Sequence, residues 1–243
     1  MLDKIWRFRF FCLAIVCGFA CGPKPYQETP LLDGHGLGDA FDAEYGSIKS
    51  LVVKLEAGLG SDLSREFELT AAYLYPDSFA FLAEGVFGAD LARGALCGDS
   101  GFWEFPRRNE SCRISRFDKI IIGDSLPAIS IGSLARLLFF FAGTTLAGDR
   151  QSTGNEIVIT AADGPITRRY CFESRTGRLL FQYLLGADSL VASYHSWRRF
   201  SSVRLPATIR LFDYSRSEFA GLKIKKASSN RRIPRSMFLS VNQ

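Results

Sequence analysis

Two short segments present a serine in a setting that nucleophilic chemistry uses. Cys97-Gly98-Asp99-Ser100-Gly101 sets Ser100 among turn residues, and Ile120-Ile121-Ile122-Gly123-Asp124-Ser125-Leu126 delivers Ser125 at the end of an apolar run. A serine hydroxyl becomes a nucleophile only beside a base that takes its proton. The chain offers 2 histidines. His35 sits in the glycine-rich stretch Asp33-Gly34-His35-Gly36, and three residues before His195 stands Ala192 rather than an acid. Two histidines also cannot build a histidine-rich zinc centre. The sequence holds no P-loop, no Gly-x-Gly-x-x-Gly turn, no calcium-binding loop and no Cys-x-x-Cys pair. The residues therefore predict no catalytic group, no metal and no cofactor.

The two serine segments each resemble an enzyme block, and each resemblance is short. The first is similar to the nucleophile segment of chymotrypsin-like proteases over five residues, but Phe102 stands where that family has a second glycine. The second is similar to the first block of the GDSL esterase family. Over a hundred residues precede Ser125, Gly154-Asn155-Glu156 is not that family's oxyanion block, and its closing Asp-x-x-His is missing. A secreted esterase using Ser125 stays as the alternative. A strand ending in a turn before Pro127 accounts for the same residues.

The start of the chain carries a different chemistry. Lys4, Arg7 and Arg9 precede the apolar run Phe10 to Val16, which is too short to span a bilayer, and Gly18-Phe19-Ala20-Cys21 follows. This is a secretory signal over residues 1–20. It resembles a bacterial lipoprotein signal, in which the cysteine, here Cys21, is lipidated and becomes the new N-terminus. Residues 21–44, with Pro23, Pro25, Pro30, Gly34, Gly36 and Gly38, read as a flexible tether. Export places the chain where cysteines can pair. Cys97 and Cys112 could close a short loop worth about 3 kcal/mol. The alternative is that Cys97, Cys112 and Cys171 are three buried thiols.

Charge is unevenly placed. The chain has 30 Lys+Arg against 25 Asp+Glu, yet residues 190–243 alone hold 11 basic and 2 acidic side chains. Solvent-facing strand positions explain such an end, and in an exported protein its counter-charge is anionic lipid rather than nucleic acid. With 47% hydrophobic and 23% charged residues the chain is globular, not disordered.

From Ser47 onward, alternating runs broken by turns every 8–12 positions predict an antiparallel sheet. Strands are expected near 48–57, 66–75, 78–86, 90–98, 101–106, 113–118, 156–162, 166–173, 178–186, 190–200, 206–213 and 219–228. One helix interrupts, capped by Ser133, with Leu134, Leu137, Leu138 and Phe141 at helical spacing and an end at Gly143. The fold class is mainly β: one curved antiparallel sheet of about a dozen strands plugged by an apolar helix. Such a sheet either fills its concave face with side chains or leaves an apolar cavity.

Residues 45–243 resemble the LolA/LolB-like lipoprotein-localisation family. The match is carried by Ser78-Phe79-Ala80-Phe81-Leu82-Ala83-Glu84-Gly85-Val86-Phe87-Gly88, by the segment Ser133 to Gly143, by Val203 to Leu211, and by Ser229-Asn230 with Pro234 and Phe238. The resemblance implies a half-open β-barrel with a helical lid and a cavity for acyl chains of lipoproteins or phospholipids. Phe79, Phe81, Leu134, Leu137, Leu138 and Phe141 would line cavity and lid. Phe87, before Gly88, matches the protruding apolar loop residue of the membrane-anchored receptor branch. An outer-membrane location facing the periplasm, a lipid anchor at Cys21 and a periplasmic lipoprotein carrier as partner follow from the same resemblance. A ligand-free structural lipoprotein with a filled barrel is the third reading.

Overall fold

Alternating apolar and polar side chains fold most of the chain into one long antiparallel meander. The computed structural model describes residues 34–59, 65–120, 128–142, 146–186, 189–213, 215 and 217–238, so the leader, Cys21 and Ser125 lie outside the described residues. Helix α1 (Gly34–Tyr45) leads into β1 (Ser50–Leu59), β2 (Arg65–Leu74), β3 (Ser78–Glu84), β4 (Asp90–Cys97), β5 (Ser100–Phe105) and β6 (Glu110–Ser115). A short pair, β7 (Lys119–Ile120) and β8 (Ile129–Ser130), precedes helix α2 (Ile131–Leu138). The second run is β9 (Asp149–Thr153), β10 (Glu156–Asp163), β11 (Ile166–Glu173) and β12 (Leu179–Leu185). It ends with β13 (Leu190–Phe200), β14 (Val203–Phe212) and β15 (Glu218–Ser229).

Each strand pairs with its chain neighbour, and β1 pairs with β15, from Leu51↔Ser229 to Leu59↔Ala220. The result is one 13-stranded sheet whose free edges are β6 and β9. The segment carrying α2 runs from one free edge to the other.

Two adjacent residues show how far this sheet curves. Phe139 stacks on Phe79 of β3 at 5.9 Å, while Phe140 meets Tyr194 and Trp197 of β13 edge-on at 5.6 and 5.7 Å. Through β2, β1, β15 and β14 those strands are five spacings apart, about 24 Å if the sheet were flat. Neighbouring Cα atoms are only about 3.8 Å apart. The sheet therefore wraps around the Phe139–Phe141 run, with most of the core on its concave face.

A second, smaller core lies on the opposite face. Val52, Ala72, Ala80, Ala95 and Phe102 are successive cross-strand partners on β1 to β5. Their three alanines leave a furrow, and Ile233, Met237 and Phe238 of the C-terminal segment pack into it.

The expected strands are present with edges shifted by up to three residues, and 166–173 and 190–200 agree at both ends. Three readings need correction. The tether expected over 21–44 is helical from Gly34, because Leu37, Phe41 and Tyr45 recur every fourth residue and the first two are buried. The cap of α2 is Ser130, whose Oγ accepts from the Ser133 backbone N–H at 3.1 Å, and the helix stops at Leu138. Strand β9 was not anticipated, since all five of its residues are exposed and carry no apolar alternation.

Candidate functional site

Helix α2 covers the concave face, and only Leu134 among its residues is not buried. Leu137 and Leu138 face the core, and Phe139, Phe140 and Phe141 follow without helical geometry. Phe141 stacks flat on Tyr45 of α1 at 5.3 Å. Phe79 and Phe81, on alternate positions of β3, are buried on the same side. The structure thus gathers the six residues expected at cavity and lid around one place. They belong to one packed aromatic and aliphatic core, and beside it a pocket of about 140 Å³ remains between Leu37, Phe41, Phe140, Phe172, Leu179 and Trp197.

Polar contacts hold that segment at two places. At its start, Arg116 donates to Asp77 Oδ2 at 3.1 Å and to the Gly98 carbonyl at 2.9 Å, and its own carbonyl accepts from Gly132 N–H at 3.2 Å. A Cβ on Gly132 would lie 2.6 Å from the Arg116 carbonyl oxygen, so only glycine admits this approach. Further on, Arg136 donates bidentately to Asp163 at the end of β10. Arg168 of β11 reaches the same carboxylate at 3.4 Å and the Phe140 carbonyl at 3.1 Å. Burial would raise the Asp163 pKa, but the hydrogen bond from Arg136 and the charges of Arg136, Arg168 and Arg116 outweigh it and hold it below the ordinary value. Beneath the helix, the Tyr194 hydroxyl lies 2.8 Å from both the Leu137 carbonyl and Gln182 Oε1. Burial pushes that phenol well up, keeping it a donor.

Sequence reasoning missed this clasp. Arg136 and Asp163 are 27 residues apart, and a turn aspartate and a helical arginine carry no shared motif. One signal was present: Arg136 interrupts an otherwise apolar helix, and a buried arginine needs a partner.

Phe87 occupies the other extreme. It is 102% exposed, at φ 67, in the single 3-10 turn Val86–Gly88 that joins β3 to β4. Hydrogen bonds from Gly85 N–H to the Ala89 carbonyl and from Gly88 N–H to the Gly85 carbonyl fix the loop. Left-handed backbone is costly for a residue with a Cβ, so a strained turn holds an apolar ring out in solvent.

Cys97, Cys112 and Cys171 are free thiols, the first two exposed and the third buried. Of the two readings, the Cys97–Cys112 closure is not formed, since β5 lies between their strands, about 10 Å of sheet, and the reading of three buried thiols holds only for Cys171. Ser100 sits in the β4–β5 hairpin, where Gly98 has φ 61 and the Asp99 carbonyl accepts from Arg116 N–H, so turn geometry accounts for Cys97-Gly98-Asp99-Ser100. His195 lies exposed on β13, 3.0 Å from Ser193 Oγ. The basic end forms solvent-facing positions of β13 to β15, among them Arg198, Arg210, Lys223, Lys225 and Lys226.

An open antiparallel sheet wrapped on an apolar helix-bearing segment defines a class of fold before any sequence match does. No family model and no curated protein matches this sequence. Solved structures do. The chain is similar to a LolA superfamily protein from Nitrosomonas europaea, with a TM-score of 0.57 at 11% identity over 87% of this chain and 100% of that one. An outer membrane lipoprotein-sorting protein domain from Vibrio parahaemolyticus gives 0.55 at 9% identity over 85% and 97%. A DUF1329 family protein from Desulfovibrio piger gives 0.57 at 9% identity over 85% and 95%. The chain therefore has the LolA-like fold, the half-open barrel that its sequence resemblance implied.

Proposed function

We propose that this chain is a non-enzymatic lipid-binding protein of a bacterial envelope, anchored through Cys21, that takes acyl chains of lipoproteins or phospholipids and helps place them in the outer membrane. The observation that carries the reading is the cover itself. An apolar concave face is closed by one segment strung between two free sheet edges and held by ion pairs, so it can lift while the 13-stranded ladder stays paired. Burying an acyl chain of 16 carbons gains about 12 kcal/mol, the same order as the roughly 9–18 kcal/mol that re-exposing Ile131, Leu137, Leu138, Phe139, Phe140 and Phe141 costs. Phe87 supplies an apolar tip for a membrane, and one relative by fold is a lipoprotein-sorting domain.

The burial of Phe139 and Phe140 favours a second reading, a filled barrel with a structural role. Native mass spectrometry of the full chain carrying Cys21→Ser separates the two. Adducts of phospholipid or acylated-peptide mass support the carrier. A clean mass that persists after incubation with both ligands supports the filled barrel. For the tip, Phe87→Glu is expected to fold normally and to lose lipoprotein transfer to liposomes; unchanged transfer removes Phe87 from the mechanism.

A further inference from the structure

The loop that presents Phe87 also forms one wall of a groove of about 720 Å³, whose other walls come from β1, β2, β3 and β15. Its charges are arranged in two like-signed rows. Lys54 and Lys226 are directly opposed on β1 and β15. Two residues along β1, Glu56, Glu68 and Glu84 are successive cross-strand partners on β1 to β3, with Glu66 beside them on β2 and Lys223 opposite Glu56 on β15. Like charges directly opposed weaken a sheet. Only Glu56 is relieved, by an ion pair with Lys225. Lys54, Lys226, Glu68 and Glu84 form no ion pair among the described residues, and the carboxylates make no metal-type cluster there. The positive and negative rows lie about 7 Å apart, two residues along β1.

A ligand of one sign would relieve one row and aggravate the other. A dipolar ligand relieves both. We infer that this groove binds a zwitterionic phospholipid headgroup, its phosphodiester on Lys54 and Lys226 and its primary ammonium on Glu68 and Glu84. The inference rests on the reading of Phe87 as the membrane tip: the ring lines the groove, so a bilayer that takes Phe87 brings headgroups to these charges. An ammonium with N–H donors can hydrogen-bond the carboxylates, whereas a quaternary one cannot. The groove therefore distinguishes phosphatidylethanolamine from phosphatidylcholine. Lys54, Glu68 and Lys226 are exposed and Glu84 is half-buried, so glutamine at these positions removes charge without opening the core.

Flotation of the full chain carrying Cys21→Ser with three vesicle types tests this: phosphatidylcholine alone, and phosphatidylcholine mixed equally with phosphatidylethanolamine or phosphatidylglycerol. Binding to the phosphatidylethanolamine vesicles is expected to be about fivefold tighter than to the other two, the worth of two exposed charge contacts. Glu68→Gln with Glu84→Gln should abolish that preference, and Lys54→Gln with Lys226→Gln should weaken binding to the phosphatidylethanolamine vesicles, while the basal binding through Phe87 persists. Equal binding to all three vesicles, a preference for phosphatidylglycerol, a preference that survives Glu68→Gln with Glu84→Gln, or unchanged binding in the lysine variant overturns the headgroup site and leaves the tip reading standing. Phe87→Glu that binds every vesicle like the parent chain removes the tip reading instead.

Discussion

Phe87 and Phe139 are the same side chain at opposite limits, one 102% exposed and the other 0%. Phe139 has rings on three sides, from Phe79, Tyr73 and Phe141. Phe87 has none and sits on left-handed backbone. Packing accounts fully for the first and for nothing in the second. The difference separates what the fold requires from what it carries at a cost: the folded state loses free energy by keeping Phe87 as it is, so the reason for Phe87 lies outside the isolated chain.

The largest effect that could break this comparison is on the buried side. Phe139→Ala is expected to cost about 3–5 kcal/mol in urea denaturation, as for other buried phenylalanines, whereas Phe87→Ala should stay within about 0.5 kcal/mol. If Phe139→Ala cost under about 1 kcal/mol, the covering segment would not be packed down in solution, and the contrast between the two residues would collapse.

Asp163→Asn comes next, because it removes the shared partner of Arg136 and Arg168, whose side chains are only 7% and 4% exposed. Leaving buried guanidinium groups uncompensated should cost about 3 kcal/mol. The pH dependence has a definite sign. The Asp163 pKa is depressed in the folded state, so its stabilisation is complete above the ordinary value of 3.8 and is lost as the pH falls through the lower folded value. The parent chain should therefore lose stability more steeply than Asp163→Asn as the pH falls below the ordinary carboxylate value of 3.8. Parallel acid curves would show that the carboxylate does not clasp the cover.

How legible each part was depends on where its partners lie. Strand 166–173 could be read to the residue because turns bound it, with Gly164 and Gly177 in positive-φ geometry on either side. Strand β9 has only exposed polar residues, so local pattern says nothing, and pairing with β10 alone makes it a strand. Three glycines masked the Leu37–Phe41–Tyr45 stripe of α1. Ser133 reads as the cap of α2 from its place before the apolar run, but the cap is Ser130, which only the hydrogen bond it accepts from the Ser133 N–H reveals. Of the candidate site, the apolar members Leu137, Leu138 and Phe141 were visible as a run. The alanine furrow, the clasp and the charged rows were not, because each exists only after strands far apart in sequence are laid side by side.

The smallest expected effect sharpens the comparison most. Phe87→Gly removes the ring and the Cβ that left-handed backbone disfavours. The backbone hydrogen bonds of the loop, Gly85 to Ala89 and Gly88 to Gly85, use no side chain and should persist. Stability should rise by about 1 kcal/mol in urea denaturation, since the strain relieved exceeds the entropy that glycine adds to the unfolded chain. Binding to phosphatidylcholine vesicles should fall in the same variant. A gain in stability with a loss of membrane binding would show that the turn stores strain to hold an apolar side chain in place. A loss of stability would mean that Phe87 makes folded-state contacts after all, and the contrast with Phe139 would then be one of degree.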